Sequence, residues 1–244
     1  MGKKLRIIGL LIACLFFPLL STAQSQQSNN LVSVRELSIP PKALHAFEQG
    51  VDLLSKKDAA GSVPQFQHAI AEFAGYYEAY YKMGVADLRL WRITEAEQAF
   101  RKSMDLSGNQ YAPPLLALGA VLIYQEKFAE AEGVTRKGLD LDPTSWSGHY
   151  FLGWALFGLN RLEEAENSVH EALRWRNDSA EARLLLVDIH SREKNYPALL
   201  NDVDEYLRRD PDSPAGARAR ALRDNAQRAL SQSESASAVA QPQP

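Results

Sequence analysis

Any catalysis or metal binding by this chain would have to come from five histidines, a scatter of acidic pairs and one cysteine. The histidines are His45, His68, His149, His170 and His190. None belongs to the pattern of a metalloprotease helix, in which two histidines four apart flank a glutamate base. Acidic pairs occur at Asp140 with Asp142, Asp202 with Asp204, and Asp210 with Asp212. They fall at expected helix ends or on solvated faces, where charge is ordinary. There is no glycine-rich phosphate loop. Asn177-Asp178-Ser179 fits a glycosylation sequon, but asparagine is expected in a turn at that place in any case. The sole cysteine, Cys14, lies in an apolar N-terminal stretch; without that stretch neither a disulfide nor a thiol nucleophile remains. No set of active groups converges, so no catalytic residue, no metal ligand and no cofactor is assigned.

The elements that would position a site are set by a period. Gly50, Gly84, Gly119 and Gly153 recur at steps of 34, 35 and 34 residues, and the next step lands on Val187. A second series, Ser62, Ala96, Ala131, Ala165 and Leu199, keeps the same rhythm. One inserted residue near Tyr111 explains the long step in both. A period of about 34 residues marks an array of helix-turn-helix units. In the clearest unit, Leu152, Gly153 and Leu156 precede a break at Asn160-Arg161, and Ala165, Val169 and Ala172 follow it at helical spacing. Glycine and alanine at fixed places let two helices approach closely, while leucines fill the space around them.

These residues resemble the tetratricopeptide repeat, whose pattern runs Trp, Leu-Gly, Tyr, then Ala, Phe, Ala and Pro. The Leu-Gly pair stands as Met83-Gly84, Leu118-Gly119 and Leu152-Gly153. The second-helix part stands as Ala96 with Phe100 and as Ala131 with Thr135. The closing proline stands at Pro143 and Pro211. The resemblance implies an all-α, right-handed α-solenoid of antiparallel helix pairs. Its five repeats are expected at 43–76, 77–110, 112–145, 146–179 and 180–213. The fifth is the most divergent, with Val187 in place of the glycine and His190 in place of a core aromatic. His149 and His190 are read as satisfied structural histidines. A capping helix is expected at 214–230, where Ala215, Ala219, Leu222, Ala226 and Ala229 form one stripe, because a solenoid needs a polar cover for its open end. A disordered tail is expected at 231–244.

In such repeats the first helix lines a concave face where ligands dock. The resemblance therefore implies a partner-binding groove of Phe47, Tyr81, Leu116, Tyr150, Trp154, Phe157 and Leu184. Val51, Leu54, Val85, Leu88, Ala120 and Ile123 extend it, and the fifth repeat adds Asp188 and Ser191. Lys, Asn and Arg at carboxylate-gripping positions are missing, so that variant of the function is not implied. Residues 150–159 are apolar almost all round. Two readings follow. Neighbouring repeats bury the rings, or the rings form an open groove for an apolar helix or extended segment.

At the N-terminus, Lys3, Lys4 and Arg6 precede an apolar run over 7–20, and Ser21-Thr22-Ala23 supplies small residues. This is the layout of a secretory signal peptide over 1–23, cleaved after Ala23. Leu11-Ile12-Ala13-Cys14 resembles the lipobox of bacterial lipoproteins, which would tether the chain to a membrane through Cys14. The apolar run after Cys14 weighs against it. A polar and extended segment is expected at 24–42. The net charge is −3, and loss of the three basic residues takes it to −6, which disfavours nucleic acid as a partner. The leading expectation is an exported, periplasmic or secreted scaffold for a protein or peptide. Two alternatives are a lipid-anchored subunit of an envelope assembly and an enzyme with an unrecognised site.

Overall fold

The computed structural model describes residues 39–209, 212–213 and 215–239. The expected signal peptide, Cys14, the segment 24–38, Pro211 and the last five residues lie outside that range. The described residues form eleven α-helices and no strand. The chain divides into two compact units, 1–143 and 144–244.

The described part of the first unit holds three helix pairs: α1 (Pro41–Ser55) with α2 (Ala59–Glu72), α3 (Tyr77–Arg89) with α4 (Ile93–Leu106), and α5 (Ala112–Tyr124) with α6 (Phe128–Leu141). The second unit holds α7 (Trp146–Gly158) with α8 (Leu162–Trp175), α9 (Ala180–Glu193) with α10 (Tyr196–Arg209), and a single α11 (Gly216–Val239). Within each unit the second helix of one pair packs against the first helix of the next, as in a solenoid.

One turn joins the helices of every pair. Lys57, Trp91, Glu126, Asn160 and Lys194 each adopt a left-handed conformation, with φ between 59° and 66°. The next residue donates its amide to a carbonyl five residues earlier: Asp58 to Leu53, Arg92 to Asp87, Lys127 to Leu122, Arg161 to Leu156 and Asn195 to His190. This bond satisfies a carbonyl that the helix end leaves over. The starts of α2 and α9 are fixed by side chains that accept from backbone amides, Asp58 from Gly61 at 2.8 Å and Ser179 from Ala182 at 3.2 Å. The link between α4 and α5 differs, because Gly108 and Asn109 are both left-handed, with φ of 58° and 60°. That double turn takes up one extra residue.

The phased glycines sit at the crossing of each pair. A Cβ on Gly50 would lie 2.6 Å from the Phe66 ring, one on Gly84 2.7 Å from Phe100, one on Gly119 against Thr135, and one on Gly153 2.6 Å from Val169. The fifth pair puts Val187 and Val203 at the equivalent places, both fully buried. The first helices α5 and α7 are buried on nearly all sides, whereas the second helices bury single stripes, such as Ala165, Val169 and Ala172 of α8. α11 buries Ala219 and Ala226 and packs on α10. It runs to Val239, past the expected end at 230. Residues 231–239 contain alanine, serine and glutamate but neither glycine nor proline, so nothing in them stops the helix.

Candidate functional site

In the first unit the expected groove residues divide by depth. Phe47 is half-buried, 4.9 Å from the Tyr76 ring and 5.9 Å from Phe66. Tyr81 is half-buried and meets Tyr111 edge-on at 5.7 Å, and burial pushes its hydroxyl pKa up to about 12. The Lys82 ammonium lies 5.4 Å from the centre of the Tyr81 ring. Burial, and then the nearby Arg89 guanidinium, hold that ammonium below the usual lysine range. Leu116 corrects the expectation. It is only 7% exposed, and its Cδ2 occupies the space that a side chain on Gly138 would need. Leu54, Val85, Leu88, Ala120 and Ile123 are buried as well. They are core: Ala120 and Ile123 belong to α5, which has almost no face left for solvent, and Leu54, Val85 and Leu88 lie on the buried faces of the amphipathic helices α1 and α3.

The second unit brings a larger correction. Tyr150 is 0% exposed, Leu184 5% and Trp154 9%. Tyr150 is ringed by aromatics, with Trp146 at 6.4 Å, Phe151 at 5.5 Å and Trp154 edge-on at 5.7 Å. These rings pack as a core cluster, so Tyr150, Trp154 and Leu184 do not line an open groove. Of Tyr150, Trp154 and Phe157 only Phe157 is half-buried and keeps some surface open to solvent. The Arg192 guanidinium stacks 3.6 Å over the Phe157 ring, and its Nη1 donates to the Phe157 carbonyl at 2.8 Å. One side chain of α9 thus covers the last turn of α7. Asp188, expected on the same face, pairs with Arg218 of α11. Burial raises its carboxyl pKa even though Arg218 opposes the rise.

His190 carries a nearly buried ionic cluster that no local motif announces. Its Nδ1 is 2.7 Å from an Asp202 carboxylate oxygen and its Nε2 is 3.1 Å from Glu166 Oε1. The Asp202 hydrogen bond raises the imidazole pKa to about 9 against the cost of burial, with help from Glu166. Glu193 brings a third carboxylate. Its oxygen, one from Glu166 and a ring nitrogen of His190 all lie within 4.8 Å of one another. Glu166 and Asp202 are 24 and 12 residues from His190, so no local motif joins them. The substitution of His190 for a core aromatic was the only trace.

Residues 147–179 match the family model described as tetratricopeptide repeat. No curated protein matches the sequence. Solved structures with the same fold include MamA (residue 41 to the end) from Desulfovibrio magneticus RS-1. It is 18% identical, with a TM-score of 0.63 over 72% of this chain and 99% of that one. YrrB, described as a TPR protein with an unusual peptide-binding site, is 18% identical over 73% of this chain and 91% of its own, with a TM-score of 0.60. Pseudomonas aeruginosa PilF is 16% identical over 81% of this chain and 88% of its own, with a TM-score of 0.67. Similarity at this level establishes the fold. Among the described residues no helix is long and apolar enough to cross a membrane.

Proposed function

Because this chain is a tetratricopeptide-repeat protein, we propose that it is a non-catalytic scaffold that binds a segment of another protein on the first helices of its pairs. The observation that carries this reading is a half-buried aromatic, still partly open to solvent, with a cation near its ring in each unit, Tyr81 with Lys82 in the first and Phe157 with Arg192 in the second. Each pairing sets an apolar surface beside a positive charge, within α3 in the first unit and between α7 and α9 in the second. An extended or helical peptide carrying apolar and acidic side chains complements both. The class of ligand, a peptide, is the one named for YrrB. Residues 1–23 are read as a secretory signal, which places the scaffold in the periplasm or outside the cell.

A photo-crosslinking amino acid at position 157 tests the binding surface in envelope extract, with the same label at the buried position 156 as control. A discrete protein adduct is expected from 157 and none from 156. Equal labelling at the two positions, or none at either, overturns the placement. With the partner in hand, Phe157→Ala should weaken affinity about thirtyfold, the equivalent of the roughly 2 kcal/mol lost with a hot-spot side chain.

A further inference from the structure

We propose that Glu166, His190 and Glu193 bind a first-row divalent metal ion of the zinc type, with Asp202 orienting the histidine. The separations suit such an ion. His190 Nε2 and Glu166 Oε1 are 3.1 Å apart, and all three donors lie within 4.8 Å of one another. Two ligands at metal–ligand distances of about 2.1 Å on a tetrahedral ion stand about 3.4 Å apart. His190 and Glu193 are three residues apart in α9 and therefore share one face. Glu166 comes from α8, so the donors meet across the contact between the fourth and fifth helix pairs.

Three further observations point to a cation. The Asp202 carboxylate is bonded to Nδ1 at 2.7 Å, which holds the ring with Nε2 aimed at Glu166. A carboxylate behind a histidine is the arrangement that orients imidazole ligands in metal sites. Second, Glu193 stands in the last turn of α9, where the partial negative charge of the helix end disfavours a carboxylate. No described lysine or arginine pairs with it. Third, carboxylates of Glu166, Glu193 and Asp202 gather around the nearly buried ring of His190, and of these three Arg183 acts only on Asp202, the carboxylate behind the ring. His170 Nε2 lies 3.5 Å from the same Glu166 oxygen and stands ready as a fourth donor. One imidazole with carboxylates suits zinc and its first-row neighbours better than magnesium or calcium, which take oxygen alone. A bound ion would pin α8 to α9 and make the second unit harder to open. This inference does not depend on the proposed scaffold role.

The test uses the full chain without a polyhistidine tag and with Cys14→Ser, so that neither tag nor thiol competes. Isothermal titration with Zn²⁺ should show one tight site, and Mg²⁺ should show none. Co²⁺ should give the visible absorption of a tetrahedral ion. Glu193→Gln leaves both His190 hydrogen bonds in place and should lower zinc affinity at least about tenfold, with Asp202→Asn costing about 10- to 100-fold. Zinc binding no tighter than magnesium overturns the site, as does tight binding that Glu193→Gln leaves unchanged. Circular dichroism of the variants confirms that each is folded.

Discussion

Gly84 faces the edge of the Phe100 ring so closely that a methyl group there would lie 2.7 Å from Cε1. Phe100 is fully buried and cannot swing aside. Gly84→Ala should therefore destabilise the first unit by about 1–3 kcal/mol, the usual range for overpacking. Adding Phe100→Leu should recover part of that loss. Urea unfolding of the single and double variants measures it, and an unchanged midpoint for Gly84→Ala would mean that the helices separate freely.

Trp154 and Phe157 share one helix yet should respond unequally. Trp154→Ala removes a buried ring that packs on Tyr150 and should cost about 3–5 kcal/mol. Phe157→Ala trims a half-buried ring whose described ring contact is the exposed Arg192 and should lower the unfolding midpoint much less. A wild-type midpoint for Trp154→Ala would return that ring to the surface.

Asp87 gives the first unit a pH dependence. Burial raises its carboxyl pKa, Arg92 at 3.6 Å opposes the rise, and Glu95 adds to it. A carboxyl whose pKa is higher folded than unfolded holds its proton more tightly in the folded chain. Its contribution then favours folding at low pH and is lost as pH rises through the carboxylate range. Asp87→Asn, which has no charge to bury, should be at least as stable as the wild type near neutrality. The difference should close as pH falls from about 7 to about 4. Denaturant midpoints across that range decide it, and a neutral-pH loss in the variant would mean that the Arg92 pairing outweighs the cost of burial.

Removal of α11 by truncation after Ser213 should uncover the face of α10 against which Ala219 and Ala226 are buried. It also breaks the Arg218–Asp188 pair. Lower solubility and an earlier unfolding midpoint are expected, because terminal repeats need a polar cover. A monomeric truncation with an unshifted midpoint would show that α11 is no cap.

Intact-mass measurement of the exported protein should give Gln24 as the first residue. A mass carrying lipid on Cys14 would replace a free scaffold with a membrane-tethered one.

The paired helices were legible because the crossing needs a residue without a side chain, and that need repeats with the period. Each glycine meets the residue sixteen positions later, from Gly50 with Phe66 to Gly153 with Val169. Depth around α7 was less legible. Its apolar residues go all round, so spacing alone could not decide whether Tyr150 and Trp154 faced a ligand or other side chains. The turns were hidden for another reason. Lys57, Trp91, Glu126 and Lys194 hold a left-handed conformation that sequence rules assign to glycine or asparagine, and only the break at Asn160 was readable. The His190 cluster joins residues from three helices and has no local pattern to read.

The double left-handed turn at Gly108 and Asn109 bears on how this gene can change length. An added codon there is absorbed between pairs, and both small-residue series resume in phase after it. An added codon inside a helix would instead rotate every later side chain of that helix by about 100° and detach a glycine from its partner sixteen positions on. Insertions and deletions should therefore collect at the links between pairs, while each pair is inherited as a block of fixed length.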